Sequence, residues 1–129
     1  MPVTKSSEPT QIYQIKVTLK DSKPTIWRRI QVKGDITLYK LHHILQVVMG
    51  WEDYHLHQFL IAGQYYGNPE DDEYGDLEIM SERRYKLNRV APGEGARFTY
   101  EYDFGDSWQH VLLVEKVLPR CELTKVIDL

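Results

Sequence analysis

A single cysteine, Cys121, stands in a chain of 129 residues, so no intramolecular disulfide can form and nothing points to an oxidising compartment. No apolar run approaches the roughly 18 residues of a membrane-spanning helix. Met1–Thr10 is polar, with no apolar stretch of the kind a secretory leader carries. The expectation is a cytoplasmic chain without a membrane partner. Excess charge is also scarce. The net charge is −3, and six acids sit together between Glu70 and Glu78, leaving the remainder at +3. That balance is too small to mark a nucleic-acid surface.

Several signatures are missing. The triplet Asp103-Phe104-Gly105 has no Gly-rich loop, strand lysine or His-Arg-Asp loop beside it, which excludes a protein kinase. Ser107 has no glycine elbow. The acidic run from Glu70 lacks the spaced Asp-x-Asp-x-Asp-Gly pattern of a calcium loop, and reads as a solvated surface loop.

What is present is concentrated in Tyr100–His110, where four aromatics, three carboxylates, a glycine and a histidine occupy eleven positions. Arg97–Asp103 alternates as a half-buried strand does, and a second strand runs from Trp108 to Leu118. If Gly105-Asp106 is a two-residue hairpin loop, Asp103 faces Trp108 and Glu101 faces His110. Those four residues then form a polar cluster, while Phe98, Tyr100, Tyr102, Val111 and Leu113 enter the core.

Upstream, Gln11–Lys20 places Tyr13, Ile15, Val17 and Leu19 on one face, and Thr25–Lys33 returns as its antiparallel partner. Leu38, Leu41, Ile44, Leu45 and Val48 recur at helical spacing, with Thr37 or Asp35 as N-cap and Gly50 as the left-handed stop. His42 and His43 at the edge of that stripe read as partly buried structural histidines. Shorter strands follow in 55–66, then a short strand and one helical turn in 82–90. The expected fold class is α+β, a mostly antiparallel sheet with one long helix packed on one face. Its order is β-β-α-β-β and then a β-β hairpin, a layout similar to a β-grasp. Residues 1–10 and 119–129 are expected as tails around a single domain at 11–118.

Chemically, His55-x-His57 on a strand presents two imidazoles to one face, and the hairpin adds Asp103, Asp106, Glu101 and His110. Two histidines with a carboxylate suit a divalent metal such as zinc or manganese, so His55, His57, His110 and Asp103 are the metal candidates. Asp103, Asp106 and His110 are the candidates for acid–base catalysis. Against an enzyme stands a binding module, in which Trp27 with Arg29, and Trp108 with Glu101, form an aromatic surface for a protein or nucleic-acid partner. In a third, structural reading, Asp103 and Asp106 order the turn through backbone amides.

Four stretches taken together resemble the plasmid pRiA4b ORF-3-like family. They are Ile26-Trp27-Arg28-Arg29-Ile30, then Leu41-His42 through Ile44 and Gln46 to Met49-Gly50-Trp51, then His55-Leu56-His57-x-Phe59, and Tyr100-x-Tyr102-Asp103-Phe104-Gly105-Asp106-Ser107-Trp108-x-His110. The likeness covers about residues 12–118. It implies an uncharacterised protein of the kind found in bacteria and archaea on plasmids, chromosomes and insertion elements, hence an accessory or binding module of mobile elements. Its shared residues correspond to His55, His57, Asp103, Asp106, Trp108 and His110, with no role attached to them. Longer members continue into a Tyr-Pro-x-Cys segment and a second cysteine. Pro119-Arg120-Cys121 is similar to the first of these.

Overall fold

The structure is a computed structural model and describes residues 10–72, 75 and 78–119. The segments expected as tails lie almost wholly outside those residues. Seven strands make one sheet: β1 (Ile12–Leu19), β2 (Ile26–Lys33), β3 (His57–Ile61), β4 (Gln64–Gly67), β5 (Met80–Ser81), β6 (Arg97–Tyr102) and β7 (Trp108–Leu118). Among the described residues they are interrupted by two α-helices, α1 (Leu38–Met49) and the single turn α2 (Leu87–Val90), and by a 3-10 turn at Pro69–Asp71.

The spatial order is β2-β1-β7-β6-β3-β4-β5, and every neighbouring pair is antiparallel except β4 with β5, which is parallel. The α+β expectation is therefore wrong. This is a mainly β protein built on a mixed sheet, with one real helix. The β-grasp layout falls with it, because β1 lies antiparallel to the final strand β7. The deciding segment is 78–86. Glu82 N–H bonds Gly67 O at 2.9 Å, which draws β5 alongside β4 in the same direction.

Helix α1 forms where its stripe requires. Thr37 Oγ1 accepts from Lys40 N at 3.1 Å at the N-terminus. At the other end Gly50 adopts φ 79°, and the N–H groups of Gly50 and Trp51 bond Val47 O and Gln46 O, the paired closure of a Schellman stop. Leu38, Leu41, Ile44 and Leu45 are fully buried in one core with Ile15, Val17, Phe59, Tyr100 and Leu112.

The central hairpin departs from the expected register. Tyr102 pairs with Trp108 and Tyr100 with His110, so the loop is 103–107 rather than two residues. The left-handed positions are Asp103 (φ 64°) and Ser107 (φ 56°), not Gly105. A slip of one residue turns every β7 side chain to the other face. His110, Leu112 and Val114 are therefore buried, while Val111 and Leu113 face the more open side. The expected cluster of Glu101, Asp103, Trp108 and His110 does not assemble. The first half of β2 is open to solvent: Ile26, Trp27, Arg28 and Arg29 are all exposed at the edge of the sheet.

Candidate functional site

The site grows from one buried hydroxyl. Tyr100 lies mid-strand in β6, and its Oη sits 2.6 Å from His42 Nδ1 and 2.9 Å from Gln46 Nε2, both on α1. Gln46 Nε2 can only donate, so Tyr100 Oη accepts there and gives its proton to His42 Nδ1. His42 then carries its own proton on Nε2 and donates to Asp53 Oδ1 at 3.0 Å. Asp53 is held in the left-handed region at φ 57°, its backbone N–H bonded to Gln46 Oε1 at 2.8 Å. Helix, strand and loop thus fix one another through four polar side chains, Tyr100, His42, Gln46 and Asp53.

A second pair abuts the first. The ring of His57, at the start of β3, stacks on His42 with centroids 3.4 Å apart and planes within 7°. His57 Nε2 lies 2.8 and 2.9 Å from the two carboxylate oxygens of Glu82, itself buried beside β5. Burial, followed by the nearby imidazoles of His57 and His43, holds the His42 pKa down to about 2. His42 is therefore neutral at every ordinary pH. Burial also pushes the Tyr100 hydroxyl up, which keeps it a donor.

His43 completes the group, with Nδ1 3.9 Å from Asp53 Oδ2. One ligand atom each from His42, His43 and Asp53 lie within 4.8 Å of one another. Two imidazoles and a carboxylate at such spacing are a donor set for a divalent ion. They open on a cleft of about 420 Å³ whose walls include Tyr39, Ser81, Glu82 and Arg83. The Arg83 guanidinium lies 3.8 Å from the centre of the Tyr39 ring, so a fixed cation stands at the rim.

The residues singled out from the sequence are spread over separate surroundings. His57 is in the cleft. His55 lies outside the strand, its Nε2 3.6 Å from Asp103 Oδ2, and pairs with a different acid from His57. His110 is buried with both nitrogens engaged: Nδ1 bonds Tyr100 O at 3.0 Å, and Nε2 accepts from Trp51 Nε1 at 3.1 Å. Asp103 accepts the amides of Gly105 and Asp106 at 3.2 and 3.3 Å and orders the turn. Glu101 accepts from Gln58 Nε2 and Ser107 Oγ at 3.0 and 2.8 Å on the open face of the sheet. Trp27 and Arg29 occupy the edge strand, where Arg29 makes a two-pronged contact with Glu115 at 2.8 and 3.0 Å. That contact is the leading cause holding the Glu115 carboxyl down to about 2.

Sequence spacing reads both His42 and His43 as structural and does not single out Asp53 or Glu82 as ligands. One signal was available. His42 and Gln46 are polar residues, four positions apart, on the buried face of an apolar helix, and buried polar groups require partners.

Fold and cleft together define a mainly β domain that gathers imidazoles and carboxylates where its helix, a loop and the β4–β5 edge meet. The chain belongs to the plasmid pRiA4b ORF-3-like protein family, which matches residues 11–128. It is 38% identical over 108 residues to the uncharacterised protein y4hQ of Sinorhizobium fredii (strain NBRC 101917 / NGR234), which covers 84% of this chain and 55% of that protein. The crystal structure of MM3350, a protein of unknown function from Methanosarcina mazei Go1, is similar with a TM-score of 0.78 and 37% identity. That likeness covers 90% of this chain and 66% of that one. The chain spans about half the length of the curated relative. Among the described residues, no helix is long and apolar enough to cross a membrane.

Proposed function

We propose that this protein is a metal-dependent enzyme whose cleft binds a divalent ion through His42, His43 and Asp53. The observation that carries the reading is the convergence of one donor atom from each within 4.8 Å. Three protein ligands leave coordination positions open to water and substrate, the arrangement of Lewis-acid hydrolysis. Binding an ion through His42 Nε2 would place the imidazole proton on Nδ1, so that Tyr100 Oη would accept from both His42 and Gln46 and its own proton would have to turn away from His42. Glu82 and His57 beside the ligands are suited to proton transfer, and Arg83 at the rim favours an anionic substrate group.

The test is elemental analysis of the purified, untagged chain, followed by thermal melts with added zinc or manganese and with chelator. Retained metal, or a melting temperature that rises with metal and falls with chelator, is expected from mass action on the folded state. His43→Gln and Asp53→Asn should abolish the response while the fold survives, since both side chains are substantially exposed. A chain that holds no metal and ignores both additions refutes the reading. The remaining reading would then be an accessory binding module of mobile elements, which rests on the family's plasmid name and on the exposed Trp27 and Trp108.

A further inference from the structure

The densest motif in the sequence, Tyr100–His110, is only partly used by the metal cleft. Its far end builds a different pocket. The turn after β6 and the loop after α1 enclose a space of about 310 Å³ lined by Trp51, Tyr102, Trp108, Glu52, Asp103 and Asp106. Its walls are rings. Trp51 lies 5.6 Å from Trp108 and 5.3 Å from Tyr102, centroid to centroid, with planes inclined by 32° and 33°. Trp51 is fastened by its Nε1–H to His110, and Tyr102 Oη accepts the Tyr54 amide at 2.9 Å, so two walls are fixed before any ligand arrives. Trp108 is 40% exposed, a large apolar ring left facing solvent at the mouth.

The lining also includes one histidine, His55, whose Nε2 lies 3.6 Å from Asp103 Oδ2, and its other ionisable groups are all acids. Asp103 is committed to the turn amides and to His55. Glu52 and Asp106 make no ion pair and accept no hydrogen bond among the described residues. A carboxylate on the surface needs no partner, and an exposed tryptophan alone needs no explanation. The combination selects a ligand. Aromatic faces attract cations through their quadrupole, and carboxylates at the rim add a field of the same sense. A metal ion is disfavoured, because rings offer it no lone pair and no imidazole–carboxylate trio converges here among the described residues. An anion is repelled.

We propose that this pocket binds an organic cation, an alkylated ammonium or a guanidinium head, against the exposed face of Trp108 beside the Trp51–Tyr102 wall, with Glu52 and Asp106 as counter-charges. The site is separate from the metal cleft and does not depend on it.

The experiment titrates the full chain, without added metal, with choline and with its uncharged isostere 3,3-dimethylbutan-1-ol, following tryptophan fluorescence and heat. Lysine- and arginine-containing pentapeptides form a second arm. The expected result is saturable quenching by at least one cation, at least tenfold tighter than by the isostere and weakened by salt. Binding in the peptide arm alone identifies a protein side chain as the source, and binding of choline identifies a free small cation. Asp106→Asn should weaken binding severalfold and Trp108→Leu at least tenfold, with melting temperatures near the wild type's. If no cation outbinds the isostere, or if both variants bind as the parent does, the proposal is overturned.

Discussion

Tyr100 is completely buried yet ends in a hydroxyl, so its hydrogen bonds must be found inside the protein. Removing that oxygen in Tyr100→Phe strands Gln46 Nε2 and His42 Nδ1 in the core at once. The expected cost is about 1–3 kcal/mol in urea denaturation. A loss under about half a kcal/mol would show that the hydroxyl is not the hub of the network. His42 adds a pH dependence whose sign follows from burial. Its folded pKa, about 2, lies below the ordinary 6.5. Its contribution to stability is therefore complete above about pH 6.5 and is lost as pH falls, because only the unfolded chain takes up the proton. Each such histidine steepens the decline by about 1.4 kcal/mol per pH unit. Burial lowers His110 in the same sense, so the parent's slope contains both. His42→Gln should be measurably shallower between pH 6 and 5. A slope equal to the parent's would mean that His42 is already solvated in the fold.

At the scale of elements, two glycines that look alike in the sequence behave differently. Gly50 ends α1 at φ 79°, and a Cβ there would meet nothing within 4 Å. Gly50→Ala therefore isolates the cost of a left-handed residue, about 1–2 kcal/mol. Gly105 is not left-handed, and its Cβ would meet only Asp103 Oδ1 at 3.4 Å. Gly105→Ala should cost less than Gly50→Ala in the same denaturation assay, and the reverse order would restore the two-residue turn. The comparison also shows what was legible. The periodicities of β1, α1, β6 and β7 are local, so those elements were readable from side-chain spacing. Which face of β7 is buried depends on whether the loop is odd or even in length. That was settled by Asp103 and Ser107 in left-handed conformations, where glycine was the more obvious signal. The parallel β4–β5 pair has no alternation to announce it, since β5 is only Met80–Ser81. The burial of His42 was readable from its place beside the stripe. Its partners were not, because Tyr100, Asp53 and His57 come from three other segments that only the tertiary fold brings together.

For the whole molecule, the sheet order makes stability uneven. The two longest-range neighbours, β1 and β7, lie side by side within the sheet, while the two-residue β5 closes one edge. Amides of Val17, Leu112 and Val114 sit in strands paired on both sides, with buried side chains, and open only with global unfolding. The edge that carries Glu82 is held by a few bonds, chiefly Glu82 N to Gly67 O and Tyr39 N to Glu82 O at 2.9 and 3.1 Å. Local opening there needs no other strand to move, so it separates Glu82 from His57 while the Tyr100–His42 core stays closed. Hydrogen exchange should therefore find the Glu82 and Tyr39 amides much less protected than those of β1 and β7. If the cleft takes a divalent ion, its addition should slow exchange at Tyr39 and around Asp53 while leaving the centre of the sheet unchanged. Equal protection across the sheet would show that β5 opens only with the global transition, and Glu82 would then be as rigidly placed as Tyr100.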